Sequence, residues 1–137
     1  MNPIDPFDKN IHLLQKVLDL RSAKQTVIAS NIANAETPGY SKKVFEFETA
    51  LQTAINKPAG TMQTTHAKHF PLGSTDVSSV TGTITEIKDE TGIGDKNGVS
   101  VDMEMIELSE NELLYETVAQ LLKKKLGMLN YAIQEGK

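Results

Sequence analysis

The feature that most constrains this chain is a hydrophobic periodicity through its last third. Successive positions alternate steps of four and three residues, which places them on one face of an α-helix. They are Val101, Met105, Leu108, Glu112, Tyr115, Ala119, Leu122, Leu126, Leu129 and Ile133. Only Glu112 interrupts the row. A helix from Asp102 to about Gln134 would be roughly 50 Å long at 1.5 Å per residue, which is long for one small domain.

A second row lies beside the first on the same helix. Its members are Leu114, Val118, Leu121, Lys125, Met128 and Ala132. The two rows together are broader than the seam of a two-stranded coiled coil. Two alternatives follow: an intramolecular helical hairpin, or helices that also pair with other chains. The residues alone do not decide between them, but few apolar residues elsewhere can cover so long a face, and this favours contacts with other chains.

The N-terminal third carries a similar pattern. Asp5 suits the N-cap, and Pro6 suits the first helical position because its missing N–H would be unpaired there anyway. A row with the same steps follows, interrupted only at its two polar members: Phe7, Ile11, Leu14, Leu18, Arg21, Gln25, Ile28 and Ile32. We predict a helix from Pro6 to about Asn34.

This helix is predicted to end in the stretch 29–40, whose sequence is ASNIANAETPGY. Pro38 disfavours helical geometry at Thr37, and Asn34 tolerates the left-handed conformation common at helix ends. Residues 37–40 match a type II turn, because proline stands at its second position and Gly39 at its third, where φ must be positive. Ser30, Asn31 and Asn34 are more polar than a helix end needs. We expect the two asparagines to bond backbone groups of a neighbouring segment, and this corner to contact another subunit.

The middle of the chain is less well specified. Helical spacing predicts a short helix at about 46–56, after a stretch at 44–47 that can be extended. Residues 57–98 hold six of the nine glycines and few large apolar side chains, so burial cannot easily offset their ordering entropy. We expect this middle to be flexible in the monomer, with room for β structure at 82–87, where the residues alternate.

Composition excludes several classes of partner and chemistry. Lys and Arg number 14 against 18 Asp and Glu, a net charge of -4, so the basic footprint of a nucleic-acid or anionic-lipid binder is absent. The chain has no cysteine, which removes disulfides, thiolate metal ligands and a cysteine nucleophile. Residues 1–6 lack the pattern of a cleaved signal peptide, and no apolar run is long enough to insert in a membrane.

No motif predicts an enzyme, a cofactor site or a metal site. His66 and His69 lie three residues apart in the middle segment without a nearby fixed carboxylate set, so we interpret them as solvated. Asp89-Glu90 and the pair Asp102 and Glu104 are interpreted as an exposed loop and a helix start, respectively, rather than as acid/base pairs. The lysines at 123–125 point in different directions on a helix, which indicates a solvated face rather than a phosphate site. We expect no small-molecule substrate.

The stretch 29–40 closely resembles the signature of bacterial flagellar basal-body rod, hook and hook-associated proteins. Further similarity lies in Phe45-Glu46-Phe47 soon after it, in the sequence NGVSVDMEM at 97–105 that leads into the last helix, and in residues 115–122. Larger members of this family carry an inserted β domain. The 42-residue middle leaves no room for one, which favours a proximal rod subunit.

The resemblance implies a mainly α fold and a structural function. It predicts one rod-type domain over 1–137, with an N-terminal helix at 6–34, a turn and short helix at 35–56, the flexible middle at 57–98 and the C-terminal helix at 99–137. The terminal helices would form a coiled-coil-like hairpin and assemble with other rod subunits and with the proteins that join the rod to the membrane ring.

The resemblance also implies a place in the cell, namely the periplasmic rod of the flagellar basal body. The subunit would reach it through the flagellar type III export apparatus, without a cleaved signal peptide. The packing and assembly residues that we predict are Leu14, Leu18, Ile28, Ile32, Leu108, Tyr115, Leu122, Leu126, Leu129 and Ile133. The motif turn comprises Ser30, Asn31, Asn34, Thr37, Pro38, Gly39 and Tyr40. The alternative function is a soluble helical adaptor, like an export chaperone, whose wide C-terminal face binds a partner helix.

Overall fold

A computed structural model describes residues 9–56, 77–88 and 98–135. Two long helices dominate it: α1 at Lys9–Ala33 and α3 at Val101–Glu135. Between them lie the strand β1 at Lys42–Glu46, the helix α2 at Glu48–Asn56, a 3-10 turn at Val77–Ser79 and the strand β2 at Thr83–Ile87. The predicted mainly α architecture with long terminal helices is confirmed. The proposed N-cap at Asp5 and the start at Pro6 lie outside the described residues.

The two long helices pack against each other in opposite directions. Asn31, near the end of α1, bonds to Glu104 at the start of α3. Arg21, ten residues earlier in α1, bonds to Asn111, seven residues later in α3. The earlier residue of α1 therefore pairs with the later residue of α3, which shows that the two helices run antiparallel. The coiled-coil-like hairpin predicted from the two periodicities is thus present.

The end of α1 uses the predicted turn but not the predicted left-handed residue. Gly39 has φ +77°, and Tyr40 N donates to the Thr37 carbonyl at 3.2 Å, as in a type II turn. Asn34, however, does not have positive φ. Its side-chain Nδ2 instead donates to the Ser30 carbonyl at 2.8 Å, so Asn34 satisfies a backbone acceptor of the last helical turn.

The two strands form an antiparallel pair that joins the motif turn to the middle of the chain. Phe45 lies opposite Ile84, and Lys42 lies opposite Ile87. The β structure anticipated at 82–87 therefore exists, so the middle is not structureless between 77 and 88. Residues 57–76 and 89–97, with His66 and His69, lie outside the described residues, and flexibility there stays a prediction.

A small core forms where this strand pair meets α1. Leu20, Phe45, Phe47 and Val80 are buried together, with Val27, Leu51 and Ala54 packed around them. The Phe45 and Phe47 rings lie 5.9 Å apart at 43°. Gly82 is needed here, because a Cβ at that position would lie 1.9 Å from the Phe45 ring. The core thus fixes the strand pair to one side of the helical hairpin.

The short helix begins two residues later than predicted. Glu46 pairs with Thr83 in the sheet, and the Phe47 carbonyl accepts the first helical hydrogen bond from Leu51 N at 2.9 Å. Phe47 therefore occupies the N-cap position, and Glu48 stands in the first turn, where the helix dipole favours a negative charge. The conformation of Glu46 is set by its pairing with Thr83 in the sheet and not by helical spacing, so the helix begins only at Glu48.

Candidate functional site

Helix α3 exposes much of the large apolar surface of the described chain. The exposed large hydrophobic side chains on it are Val101, Met103, Met105, Ile106, Leu113, Leu114, Tyr115, Leu121, Leu126, Met128, Tyr131 and Ile133. Exposed apolar surface of this extent marks sites of interaction with other proteins. The apolar face of α3 is therefore the candidate functional surface of the chain.

The side of α3 that packs against α1 is, by contrast, partly polar. Glu104 and Asn111 are the only buried residues of α3, with 0% and 2% exposure. They lie seven residues apart, as successive core positions of a coiled coil do. Glu104 lies in the first turn of α3, in agreement with its interpretation as part of a helix start, but its side chain is buried, whereas that of Asp102 is exposed. The amphipathic pattern predicted the helix correctly but not which residues would face its partner.

Asn31 joins three segments of the chain at the base of the hairpin. It is 1% exposed, and its Nδ2 donates to Glu104 Oε2 at 2.9 Å and to the Lys43 carbonyl at 2.7 Å. Its Oδ1 accepts from Lys43 N at 3.0 Å and from the Tyr40 hydroxyl at 3.2 Å. The predicted bond to a neighbouring backbone segment is present. All of these bonds lie within the chain, so the Asn31 side chain positions the corner from inside.

Lys42 supplies the charge that accompanies the buried Glu104 carboxylate. Its Nζ lies 2.6 Å from Glu104 Oε1 and 3.2 Å from Glu107 Oε1. Both hydrogen bonding and Coulomb attraction from Lys42 act on the Glu104 carboxylate. Partial burial by itself lowers the pKa of Lys42, but its contacts with the two glutamates raise the pKa above the ordinary value overall. This ion pair ties β1 to the first turn of α3.

Arg21 and Gln25, the polar members of the apolar row on α1, both form hydrogen bonds with polar side chains of α3. Gln25 Nε2 donates to Glu112 Oε1 at 3.3 Å, and Arg21 Nη1 donates to Asn111 Oδ1 at 3.2 Å. Asn111 Nδ2 in turn donates to the Arg21 carbonyl at 3.0 Å. Polar contacts of this kind in a helical seam fix register and direction, because a slip leaves a buried polar group unpaired.

The Arg21 guanidinium also contacts the small core. Its Cζ lies 5.3 Å from the centre of the Phe47 ring, within range of a cation–π interaction, whereas its buried Nε has no hydrogen-bond partner among the described residues. Lys24 Nζ lies 5.8 Å from the same ring and donates to Glu48 Oε1 at 2.8 Å. The Glu48 carboxylate is partly desolvated, which raises its pKa, but the bonds from Lys24 and from backbone N–H groups lower the pKa overall.

An open groove of about 510 Å³ lies between α1, β1 and α3. Its apolar lining includes Val27, Ile28, Phe45 and Leu114, and acidic and basic side chains alternate around it. Leu114 also belongs to the second apolar row of α3. The groove therefore shares Leu114 with the row that continues along α3 through Leu121 and Met128.

The predicted assembly residues divide between the inside of the hairpin and its surface. Ile28 is buried, and six others are half-buried: Leu14, Leu18, Ile32, Leu108, Leu122 and Leu129. Tyr115, Leu126 and Ile133 are exposed. In the motif turn Asn31 is buried, whereas Ser30, Asn34 and Tyr40 are half-buried and Thr37, Pro38 and Gly39 are exposed. Sequence reasoning missed Glu104 and Asn111, whose only signal was their spacing of seven.

Within 9–56, 77–88 and 98–135 no three His, Cys, Asp or Glu side chains come together as a possible metal site. None of the helices in these ranges has the length and hydropathy that a membrane span needs. What the site can do chemically is bury apolar surface and pair charges with another macromolecule.

Comparison with known proteins agrees with these features. A family model described as flagella basal body rod protein matches residues 18–40, which include the motif turn. A flagellar basal body rod protein FlgB from Aeromonas hydrophila is 35% identical over 128 residues, 93% of this chain and 95% of that protein. The FlgB proteins of Cereibacter sphaeroides strain ATCC 17023 and of Yersinia enterocolitica are 34% and 27% identical, over 93% and 97% of this chain and 96% and 99% of theirs.

Proposed function

Because this chain belongs to the family of flagellar basal body rod proteins that includes FlgB, we propose that it is a non-enzymatic structural subunit of the proximal rod. In this role it assembles with copies of itself and with other rod subunits, and connects the membrane ring to the distal rod and hook. Motility would require it. The single observation that carries the proposal is the uncovered apolar face of α3, which a subunit of a larger assembly needs and a solitary domain does not.

The hairpin is suited to such a role because its own seam is already specified by polar contacts. Asn31 with Glu104 and Arg21 with Asn111 set the register between α1 and α3. The remaining apolar rows of α3 are then available to other chains. Contacts between unlike surfaces of successive copies build helical or tubular assemblies when the rotation between copies does not close a ring.

Burial on assembly would supply stability that the isolated chain lacks. The described core is small, and a fully buried leucine or methionine contributes about 1.5 to 3 kcal/mol relative to an exposed one. Several such residues on α3 are about half exposed. A marginally stable monomer is also compatible with the proposed passage through the flagellar type III export apparatus without a cleaved signal, after which assembly would stabilise the folded chain.

Fractionation separates this proposal from the adaptor alternative. The test uses a bacterium in which this chain replaces the host's own proximal rod protein. If the chain is a rod subunit, it should be recovered with purified basal bodies, and its deletion should abolish swimming. An adaptor or chaperone would stay in the cytoplasmic fraction and would be absent from basal bodies. Recovery in the cytoplasm alone, with complete rods present, would overturn the proposal.

A further inference from the structure

The strand β2 leaves one of its two edges unpaired. Asn31 Nδ2 donates to the Lys43 carbonyl and Lys43 N donates to Asn31 Oδ1, so the backbone groups of Lys43 point away from β2. Lys43 is opposite Glu86, and the direction of the backbone groups alternates along an antiparallel pair. The N–H and C=O of Glu86, and those of Ile84, therefore point away from β1. Within the described ranges the sheet has two strands, and no third strand pairs with these groups.

Two features that keep a solvated edge from pairing are missing from β2. The strand contains no proline, and its pairing with β1 runs through successive residues without a bulge. Every residue of β2 is exposed, and Ile84 and Ile87 are 58% and 52% exposed. Its other members are Glu86 and two threonines, and threonine and isoleucine both favour extended structure. Such an edge is a template for another strand.

The outer edge of β1, by contrast, is already occupied. The Asn31 amide donates to the Lys43 carbonyl at 2.7 Å and accepts from Lys43 N at 3.0 Å, as a residue of a neighbouring strand would. A second copy of this chain could therefore offer only its own β2. A contact between identical edges closes after two copies, whereas the contacts that build a rod must continue. The occupant that suits the edge of β2 in a rod is thus a strand from a different protein.

We infer that the open edge of β2 receives an extended segment of a different protein of the basal body, which joins the sheet as a third strand. The inference rests on the proposed rod function and adds a partner surface apart from the helical hairpin. In strand addition the main-chain hydrogen bonds supply the affinity, and the side chains beside them select the partner.

The side chains at this edge specify the chemistry of the partner. Ile84 and Glu86 project from the same face of β2, because they are two residues apart. Lys43, opposite Glu86 on β1, places its ammonium group 5.8 Å from the centre of the Tyr40 ring. An antiparallel third strand therefore carries a lysine or arginine opposite Glu86 and, two residues later, an apolar residue opposite Ile84.

Proline substitutions separate the outer edge from the pairing with β1. Glu86→Pro removes an N–H that points outwards, whereas Thr85→Pro removes one that points to Val44 of β1. Glu86→Ala is the matched control, because it removes the side chain and keeps the N–H. Glu86→Pro should unfold at the same urea concentration as Glu86→Ala, and Thr85→Pro should unfold at a lower one. Glu86→Ala should still form rods, whereas Glu86→Pro should abolish them.

Two results of this comparison would overturn the inference. Normal rods with Glu86→Pro would show that the outer edge has no strand to bind. A loss of stability with Glu86→Pro as large as that with Thr85→Pro would show that the Glu86 N–H is not at an open edge.

Cross-linking in isolated basal bodies identifies the occupant. Photoreactive benzoylphenylalanine in place of Thr85 should capture a segment of another protein in which a lysine or arginine precedes an apolar residue by two positions, as read by mass spectrometry. The chain has no cysteine, so Thr85→Cys tests for a second copy, because Thr85 faces itself when two β2 strands pair antiparallel about this residue.

Disulfide-linked dimers of Thr85→Cys, a cross-link within one chain, a captured segment without the pattern, or no cross-link would each overturn the inference while leaving the rod function intact. If the unaltered chain is absent from basal bodies, the rod function itself fails, and the inference fails with it.

Discussion

Asn31 and Glu104, 73 residues apart in the sequence, form a buried hydrogen bond between Nδ2 and Oε2 at 2.9 Å. The same amide holds the Lys43 backbone through both its N–H and its carbonyl. One asparagine of the motif turn therefore fixes the end of α1, the start of β1 and the first turn of α3 relative to one another. This explains in physical terms what that residue contributes, since each group it satisfies would otherwise be buried and unpaired.

Asn31→Ala is expected to lower the free energy of unfolding by about 3 kcal/mol, because Glu104 Oε2 and the Lys43 backbone N–H and carbonyl lose their hydrogen bonds to Asn31. Urea denaturation followed by circular dichroism measures the change. Asn130→Ala, at an exposed position on α3, is the control and should change stability by no more than about 0.5 kcal/mol. Similar effects from the two variants would contradict the role given to Asn31.

Two glycines should respond in opposite ways to the same substitution. Gly82→Ala places a methyl group against the buried Phe45 ring and should cost about 1 to 3 kcal/mol. Gly127→Ala lies in helix α3 with nothing within 4 Å and should gain about 0.5 to 1 kcal/mol through helix propensity. Thermal or urea unfolding of both variants checks this, and a stabilising Gly82→Ala would disprove the packing of β2 against Phe45.

The two polar pairs of the helical seam should differ in coupling energy. Double-mutant cycles with alanine should give about 1 kcal/mol for Arg21 with Asn111, whose side chains share a part-buried hydrogen bond. Gln25 with Glu112 is exposed and should give below about 0.5 kcal/mol. A reversed order would mean that the seam does not take its register from the buried pair.

Glu48 makes the stability of the small core depend on acid pH. Its pKa is lowered in the folded chain from the ordinary value of 4.5, so its contribution is fully present above pH 4.5 and is lost as the pH falls through the folded pKa. The difference in unfolding free energy between the wild type and Glu48→Gln should therefore be constant near neutral pH and shrink in acid. Lys24→Met should remove most of this dependence, and a difference that stays flat down to pH 3 would refute it.

Leu121 and Leu122 are neighbours with different expected roles. Leu122 is half-buried, and we predict that Leu122→Asp blocks assembly while export stays possible, with some cost to the monomer. Leu121 is 51% exposed, so Leu121→Asp should change monomer stability by no more than about 0.5 kcal/mol yet still prevent rods. Urea unfolding and counts of rods by electron microscopy measure the two effects. Normal rods with Leu121→Asp would remove this row from assembly.

Local rules predicted much of the fold. The apolar periodicities located α1 and α3, and proline and glycine located the turn at 37–40, because these signals depend on residues close in sequence. The late start of α2 followed from the pairing of Glu46 with Thr83, a contact between distant residues that no local pattern encodes.

The candidate surface was predicted less completely. A hydrophobic row shows that a helix has a face but not which partner covers it, and here the two fully buried residues of α3, Glu104 and Asn111, stand in neither predicted row. The buried role of Glu104 depends on Asn31 and Lys42, which reach it from two other elements. The width of the apolar face predicted the exposed surface better, because it indicated that one neighbouring helix could not cover all of α3.

Electron cryo-microscopy of isolated basal bodies, with this chain traced in the density, tests the rod function most directly. If the chain is a proximal rod subunit, we expect to find it in the rod segment next to the membrane ring, with Leu121 and Met128 of α3 covered by a neighbouring subunit. A complete rod that contains no copy of this chain, or copies in which that flank of α3 faces solvent, would contradict it.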